Sequence, residues 1–270
     1  MKFSIITINK NNGGGLRKTI ESIIKQTYKD WELIVIDGAS TDDSVMVIKE
    51  YEKHITYWVS EIDSGIYNAM NKGVKRAQGE LFAFINSGDC LYKTNILDTI
   101  SSYSQNFDIL VGRDYHFNDI TNKGFASIMP QWVSMLTFYI ETLPHQSAFF
   151  KHTLFQNKLY DETFSICADM AFYIDVIVKQ GCQVLITDEI ICKREQGGIS
   201  NRAENIVHEE RLKIINSVIP IGVRKDYETL TLLDKSTVYK FFYLCNKSHL
   251  FRRILTIFIK IYYKINFICK

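Results

Sequence analysis

The stretch WELIVIDGASTDDS, residues 31–44, decides the fold class. Its apolar run, Leu33–Ile36, has the length of a strand, and the small and polar residues from Asp37 onward end that run. Thr41 or Asp42 can cap a following helix, whose apolar positions lie between Val45 and Ile48. A short apolar strand that leads through small residues into a helix is typical of a βαβ unit.

Three more apolar runs of strand length lie around this unit, at Phe3–Ile8, Ile55–Val59 and Leu81–Ile85. Segments with helical spacing of apolar residues, around Leu16–Ile24 and Ile66–Ala77, separate them. Short apolar strands that alternate with helices predict an α/β fold, with a Rossmann-like, mostly parallel sheet flanked by helices. Ligands of such sheets bind beyond the carboxyl ends of the strands.

All four predicted strands end in small residues that accompany a carboxylate or an amide. The four stretches are TINKN (7–11), DGASTD (37–42), EIDSG (61–65) and NSGD (86–89). Because the carboxyl ends of parallel strands meet at one edge of the sheet, we expect a ligand-binding rim there. The run Gly13–Gly15 lacks the spacing of a phosphate-binding loop, and we interpret it as a turn into the first helix.

The second half of the chain is less regular. LPHQSAFFK (143–151) predicts a strand entered from a proline turn, and QVLIT (183–187) predicts another strand. CADMAFYIDVIVKQG (167–181) predicts a helix that ends at Gly181, EQGGIS (195–200) a glycine loop, and residues 203–217 a helix.

The composition describes a globular chain. Of the 270 residues, 46% are hydrophobic, which excludes global disorder and allows one large domain or two small ones. The N-terminal MKFSIITIN is expected to be the first strand and not a signal peptide. The six cysteines form no C-x-x-C pair, so we expect reduced thiols in a cytoplasmic protein.

The net charge of +2 conceals an uneven distribution. From Lys235 to the end the chain carries eight of its 32 basic side chains and no acidic one, which leaves 24 basic against 30 acidic residues before it. This balance does not favour nucleic-acid binding. Spacing in HLFRRILTIFIKIYYKINFICK (249–270) places basic and apolar residues on opposite faces of a helix, so we predict an amphipathic helix on an anionic membrane surface. Packing on the core, or an oligomer contact, is the alternative.

Seven stretches resemble the inverting glycosyltransferases of family 2, which are nucleotide-sugar-dependent enzymes with the A-type glycosyltransferase fold. In the order of that family, they are FSIITINKN, WELIVIDGASTDDS, SEIDSGIYNAMNKGVKRAQGE, FINSGD, HQSAFF, ADMAFYIDV and GGIS, and they cover roughly residues 2–200. The resemblance is greatest to bacterial enzymes that build surface polysaccharide, such as O-antigen or capsule repeats, on a lipid carrier.

The resemblance implies a nucleotide site. Asp37 matches the aspartate that hydrogen-bonds the base, usually uracil, and the full implied set is Thr7, Asn9, Asp37, Asp63, Lys72 and Ser87. The chain departs from the family pattern at Lys10, where a tyrosine is common, and at Met70, where an arginine is common. These departures affect recognition of the base more than the transfer reaction. UDP is the nucleotide that we expect first.

The resemblance also implies the groups of the reaction. In NSGD, which occupies the place of the family's D-x-D motif, Asp89 matches the ligand of Mn²⁺ or Mg²⁺, and Asp169 matches the catalytic base. The alternatives are an ordinary turn at Asp89 and a helix-terminal acid at Asp169. Contacts to the acceptor or donor sugar fall on His145, Gln146 and Gly198, and Arg202 is a candidate contact to the diphosphate.

These observations lead to one expected function and its rivals. We expect a metal-dependent, inverting transfer of a hexose, glucose or galactose first, from a UDP-sugar to a lipid-pyrophosphate-linked saccharide. The catalytic domain would span residues 1–220, with a nucleotide half (about 1–112) and an acceptor half (about 113–220), and residues 221–270 would attach it to the inner face of the plasma membrane. The rivals are a non-catalytic nucleotide-sugar-binding scaffold and a sugar nucleotidyltransferase. A homo-oligomer is compatible with the sequence.

Overall fold

A computed structural model of the protein describes residues 2–103, 106–118, 123–195 and 203–235, and four separate positions, 253, 256, 257 and 260. The chain divides into two compact units, Met1–Ile215 and Asn216–Lys270. The predicted glycine loop, with Gly198 and Arg202, lies outside the described residues, as does most of the predicted amphipathic helix of residues 249–270.

The first half of the large unit is the predicted parallel sheet. Strands β1 (Phe3–Asn9), β2 (Trp31–Asp37), β3 (Tyr57–Ser60) and β4 (Leu81–Phe84) lie in the order β3-β2-β1-β4, and every neighbouring pair is parallel. The prediction of four parallel strands is confirmed. Strand β3 begins at Tyr57, two residues later than predicted, and Glu52–His54 before it form a turn of 3₁₀ helix.

Helices lie between successive strands of the sheet and cover it. They are α1 (Gly13–Ile24), α2 (Ser44–Glu50), α3 (Ile66–Val74) and α4 (Ile96–Ser102). The interpretation of Gly13–Gly15 as a turn is wrong, because these residues form the first turn of α1. The Asn12 side chain accepts the Gly15 N–H at 3.1 Å and caps that turn.

The second half adds strands of both directions to the same sheet. Strands β5 (Cys90–Leu91), β6 (Ile109–Asn118), β7 (Lys123–Ala126), β8 (Ala148–Lys151) and β9 (Val184–Glu195) continue it in the order β4-β8-β6-β9-β5, with β7 on β6. Of these pairs only β6–β9 is parallel. The parallel character therefore belongs mainly to the nucleotide half predicted from the sequence.

The described residues form four more α-helices. They are α5 (Met135–Ile140), α6 (Ala168–Tyr173) with a π-helical continuation (Ile174–Lys179), α7 (Glu204–Val218) and α8 (Ile221–Lys235). A turn of 3₁₀ helix at His145–Ser147 leads into β8, where the sequence predicted a proline turn. In the described part of the chain, no helix has the length and apolar character that a bilayer crossing requires.

The core lies between the sheet and its covering helices. One cluster of buried residues joins Leu16, Ile20 and Ile23 of α1 to one face of the sheet, where it contains Phe3, Ile5, Leu33, Val35, Leu81 and Ala83 of strands β1, β2 and β4. Burial of side chains of this size contributes roughly 1.5–3 kcal/mol each to stability. This core fixes the strands in place, and the strands in turn position the loops at their carboxyl ends.

Candidate active site

The Asp37 carboxylate organises the rim at the end of β2. It is fully buried, and its Oδ1 accepts hydrogen bonds from Asn9 Nδ2 at 2.7 Å and Ser40 Oγ at 2.6 Å. Its Oδ2 accepts from the Ser40 N–H at 3.0 Å and Ser60 Oγ at 2.6 Å. Burial opposes ionisation, but the hydrogen bonds from Ser40, Ser60 and Asn9 outweigh it and hold the pKa of Asp37 below its ordinary value.

These hydrogen bonds affect the predicted contact between Asp37 and the base of a nucleotide, because they use the same carboxylate oxygens. Four protein donors already occupy the carboxylate, so its role in this structure is to hold the ends of β1, β2 and β3 together. The contact of Asp37 with a base stays a prediction. Two buried polar atoms beside it, Thr7 Oγ1 and Asn9 Oδ1, have no hydrogen-bond partner among the described residues.

An ion pair lies next to this carboxylate. The Lys72 ammonium of α3 is 2.6 Å from Asp63 and 2.7 Å from Glu61, and a Cβ on Gly38 would lie 3.1 Å from Asp63 Oδ2 and 3.4 Å from Lys10 Cδ. Gly38 therefore leaves room for the close approach of these side chains. The structure thus brings Asp63 and Lys72 to the rim. Met70, which stands where an arginine is common in the family, is buried in the core.

The NSGD loop is held by α1. The Thr19 hydroxyl accepts the Gly88 N–H at 3.0 Å and donates to the Asp89 carbonyl at 2.7 Å. Gly88 has φ +101°, a conformation that favours glycine. The Asn12 amide donates to the Ser87 carbonyl at 3.2 Å. Sequence reasoning missed Thr19, since nothing in its local pattern marks a residue 70 positions from Asp89.

The NSGD loop can hold a divalent cation through few protein groups. Asp89 is largely buried, and the nearby Asn86 Oδ1 is buried with no hydrogen-bond partner among the described residues. In that same part of the chain, no three His, Cys, Asp or Glu side chains form a group that could hold a metal ion. A cation here would take Asp89 as its carboxylate ligand, and phosphate and water would complete the oxygen shell that Mg²⁺ and Mn²⁺ prefer. The residues fit such an ion.

The Asp169 carboxylate is oriented by three groups from different segments. Its Oδ1 accepts the Met170 N–H at 2.8 Å and lies 3.1 Å from the Tyr67 hydroxyl, while its Oδ2 lies 2.8 Å from His145 Nδ1. His145 Nε2 is buried and has no hydrogen-bond partner among the described residues. A fixed carboxylate at the start of a helix can accept a proton from a hydroxyl group bound beside it.

Two neighbours of Asp169, Tyr67 and Cys167, have raised pKa values and stay protonated. Burial and the negative charge of Asp169 raise the pKa of the Tyr67 hydroxyl well above its ordinary value, so this group remains protonated. Burial likewise raises the pKa of the Cys167 thiol to about 12. Cys167 is therefore no competing nucleophile, because thiolate is the reactive form.

Two supports of Asp169 were not identified from the sequence. Glu210 of α7 accepts the backbone N–H groups of Ser165, Ile166 and Cys167 at 2.5, 3.0 and 2.9 Å, and so fixes the segment that enters α6. Tyr67 is the other support, and it stands in α3, the helix that carries Lys72. Helix α3 therefore joins the rim to the segment that bears Asp169.

The other predicted sugar contacts are only partly described. Gln146 is buried in the 3₁₀ turn beside His145, and Ser147 of that turn donates to the Arg113 carbonyl at 3.1 Å. Gly198 and Arg202 are outside the described residues. The structure thus brings His145 and Asp169 together, while the contacts predicted for Gln146, Gly198 and Arg202 stay predictions.

Solved structures that resemble this chain define the class of the fold. S. aureus TarS in complex with UDP has a TM-score of 0.63 and 18% identity, and the likeness covers 84% of this chain and 69% of that one. Glucosyl-3-phosphoglycerate synthase from Mycobacterium tuberculosis, in complex with Mn²⁺, UDP and glucosyl-3-phosphoglycerate, has a TM-score of 0.58 and 12% identity, with 82% of each chain covered. The fold is the A-type glycosyltransferase fold, as predicted.

Sequence comparison gives the family. The family model described as "Glycosyl transferase family 2" matches residues 4–181, so the chain belongs to this family of glycosyltransferases. An uncharacterized glycosyltransferase of Mycobacterium tuberculosis is 30% identical over 213 residues, which are 74% of this chain and 78% of that protein. A PGL/p-HBAD biosynthesis glycosyltransferase of Mycobacterium bovis is 26% identical over 231 residues, 82% and 87% of the two chains.

Proposed function

We propose that this family 2 glycosyltransferase transfers a hexose, glucose or galactose first, from a UDP-sugar to a lipid-pyrophosphate-linked saccharide, with inversion at the anomeric carbon. The solved structures with UDP, and with UDP and Mn²⁺, support a UDP-sugar donor and a divalent cation. The nucleotide would lie along the rim formed by Thr7, Asn9, Asp37, Asp63 and Lys72, with Ser87 beside its ribose and phosphates.

The oriented Asp169 carboxylate is the observation that carries the proposed chemistry. It takes the proton of the acceptor hydroxyl while that oxygen bonds to the anomeric carbon. The bond from this carbon to the diphosphate oxygen breaks, and UDP leaves with the electron pair. Tyr67 and His145 hold Asp169 in position, and the contact to the sugar proposed for His145 is compatible with this geometry.

The metal ion has a limited part in this proposal. Mn²⁺ or Mg²⁺, when bound, would stabilise the negative charge that develops on the departing diphosphate. From this chain, the Asp89 carboxylate would hold it. Thr19 and Gly88 fix the backbone of the loop around Asp89, which keeps the carboxylate in place before the donor arrives.

The distribution of basic residues is the basis for the proposed acceptor and for the proposed location of the protein in the cell. The basic segment from Lys235 onward is suited to an anionic membrane surface, and this placement would bring the catalytic unit to a lipid-linked acceptor. We propose peripheral attachment to the inner face of the bacterial plasma membrane, in the synthesis of a surface polysaccharide such as O-antigen or capsule.

A donor screen tests the proposed function. Purified protein is titrated with UDP-glucose, UDP-galactose, their N-acetyl forms and GDP-mannose, each with and without Mn²⁺. We expect metal-dependent binding and slow hydrolysis of one UDP-sugar, with metal dependence lost in Asp89→Ala. Asp188→Asn, which changes an exposed acid, is the control and should behave as the wild type.

Two outcomes would contradict the proposal. Tight binding that is indifferent to both Mn²⁺ and Asp89 would favour the non-catalytic scaffold. Formation of a nucleotide-sugar from a nucleoside triphosphate and a sugar phosphate would favour the nucleotidyltransferase.

A further inference from the structure

A cavity of about 550 Å³ lies in the acceptor half, between β6, residues 127–134, α5 and residues 141–144. Its volume is within the range of small-molecule sites. Among the residues that the sequence predicted for the site, none of those that the structure describes lines it. Pro144, however, does line it and directly precedes His145, which contacts Asp169. The cavity therefore ends one residue along the chain from His145.

A buried carboxylate forms the polar part of the cavity. Asp114 is 1% exposed, and its Oδ2 lies 3.0 Å from both Arg194 Nη1 and His116 Nε2. A register irregularity at Gly112 interrupts β6 just before it, and such bulges redirect side chains near active sites. Asp114, His116 and Arg194 all line the cavity.

The second oxygen of this carboxylate lacks a hydrogen-bond donor among the described residues. Asp114 Oδ1 is buried and accepts no hydrogen bond of good geometry from the described residues, although the Ser127 hydroxyl is close to the carboxyl group. A buried acceptor without a partner is unfavourable, so a hydroxyl group bound in the cavity would remove this penalty. Because Arg194 is already paired with Asp114, this end of the cavity suits a neutral hydroxyl better than a phosphate.

The walls of the cavity are apolar and open to solvent. Ile128 is 92% exposed and Trp132 is 70% exposed, and Ile140 is exposed beside them. Large apolar side chains that are exposed together around one concave surface mark a binding site. An aromatic ring in such a wall can also stack on the apolar face of a sugar.

We infer that this cavity binds the acceptor as an amphipathic glycoside. Hydroxyl groups of the terminal sugar bond to Asp114 and Arg194, and the hydrocarbon attached to that sugar lies along Ile128, Trp132 and Ile140. The inference rests on the proposed function, because it names the substrate class that the transferase glycosylates. It changes one feature of the proposed acceptor: the hydrocarbon is bonded to the sugar itself, whereas pyrophosphate separates the two in a lipid-pyrophosphate-linked saccharide.

Binding of simple glycosides to the full chain, without donor, tests this inference. Methyl and octyl glycosides of glucose, galactose and N-acetylglucosamine are titrated calorimetrically, the octyl forms below their micelle concentration. We expect one octyl glycoside to bind on the order of tenfold or more tightly than its methyl form, since more than two buried methylene groups separate them. Binding should also shift the Trp132 emission to shorter wavelength, a change absent in Trp132→Phe.

Surface variants keep the test interpretable. Ile128→Ser should weaken the octyl glycoside and leave the methyl glycoside unchanged, whereas Met46→Ser, at a residue 72% exposed in α2, should change neither. Asp114→Asn should weaken both glycosides by about tenfold, as expected when a hydrogen bond to a charged group is lost. If Asp114→Asn does not fold, the Ile128→Ser and Trp132→Phe variants still test whether the glycoside binds in this cavity.

Three results would overturn the inference: equal binding of octyl and methyl glycosides, binding of octanol as tight as that of the octyl glycoside, or no effect of Ile128→Ser. Its failure is separable from that of the proposed function. Hydrolysis of a UDP-sugar together with no glycoside binding contradicts the cavity assignment alone. Glycoside binding with no binding of any nucleotide-sugar contradicts the transferase and leaves a saccharide site.

Discussion

At the end of β2, one carboxylate joins three strands. The Asp37 oxygens receive hydrogen bonds from the end of β1, from the loop after β2 and from the end of β3. Hydrogen bonds to a charged acceptor contribute more than neutral ones, about 1.5–3 kcal/mol each. The ionised form of Asp37 is thus part of the folded structure of the rim.

Asp37→Asn should therefore destabilise the protein by about 2 kcal/mol near neutral pH. The pKa of Asp37 is lower in the folded state than in the unfolded state, so its contribution is fully present above the unfolded value of about 3.9 and is lost as pH falls through the folded value. The stability difference between wild type and variant should narrow below about pH 4. Urea unfolding from about pH 3 to pH 7 measures it.

The matched control is Asp188→Asn, at an exposed aspartate, for which the difference from the wild type should be small at every pH. A constant difference for Asp37→Asn across the whole range would contradict the assignment of the low pKa to this group.

The resemblance to the family indicated Asp89 and Asp169, whose carboxylates lie at a strand end and at a helix start. The residues that hold these two carboxylates in position could not be predicted from the sequence. Tyr67 and Asp169 are 102 positions apart in the chain, and no local signal joins them. Partners of this kind depend on how α3 and α6 pack, which sequence spacing does not determine.

At the scale of elements, α1 positions the loop that would carry the metal. Thr19 lies in α1, where its hydroxyl oxygen is 3.1 Å from the Gly15 carbonyl oxygen, and it contacts the backbone at Asn86, Gly88 and Asp89. A helix is rigid compared with a loop, so this contact fixes the NSGD loop against the core.

Thr19→Val keeps the size of the side chain and removes its hydroxyl. We expect a loss of about 1–3 kcal/mol in stability, because the buried Gly88 N–H and Asp89 carbonyl lose a partner. We also expect weaker binding of Mn²⁺ in the presence of UDP, measured by titration of the metal. Thr99→Val is the control, since the Thr99 hydroxyl also contacts the carbonyl four residues before it. Unchanged metal affinity in Thr19→Val would show that the loop holds its form without α1.

Helix α7 supports the other half of the site. Glu210 accepts three consecutive backbone N–H groups before α6, and glutamine has one acceptor oxygen where glutamate has two. Glu210→Gln should therefore lower kcat by on the order of tenfold through displacement of Asp169, while the affinity for the donor stays the same. Steady-state kinetics and donor titration separate these effects.

Glu209→Gln, at the exposed neighbouring position, should leave kcat unchanged. If Glu210→Gln changes donor affinity and kcat together, its role is general stability and not the positioning of Asp169.

The elements themselves were predictable to different degrees. Periodicity identified β1, β2 and β4 closely, because these strands are buried on both faces and read as continuous apolar runs. It did not identify the two-residue β5, or the antiparallel pairing of β8 with β4 and β6. Pairing direction depends on tertiary contacts that a single segment does not encode. The Asp114–Arg194 pair was missed for the same reason.

For the whole molecule, the distribution of charge predicts where it acts. The body before Lys235 is acidic, and the 36 residues from Lys235 onward carry only basic charges. Each cation near an anionic membrane contributes about 1 kcal/mol to binding. We therefore expect the full chain to sediment with vesicles that contain an anionic lipid, and much less with neutral vesicles.

The double variant Lys260→Glu, Lys264→Glu should lower this binding more than tenfold, since reversal of two charges removes at least roughly 2 kcal/mol. The control, Lys49→Glu with Lys53→Glu, reverses two exposed lysines at the same spacing in the catalytic unit. Equal losses in the two double variants would assign the effect to net charge and not to the tail.

The measurement that tests the central claim most directly is a proton NMR time course of UDP-sugar hydrolysis, in which water replaces the acceptor. UDP-glucose and UDP-galactose carry α-linked sugars, so inversion predicts that the first sugar released is the β anomer. The rate should fall about 10²–10⁴-fold in Asp169→Asn and stay unchanged in Asp188→Asn. Release of the α anomer, or full activity in Asp169→Asn, would contradict an inverting transfer with Asp169 as its base.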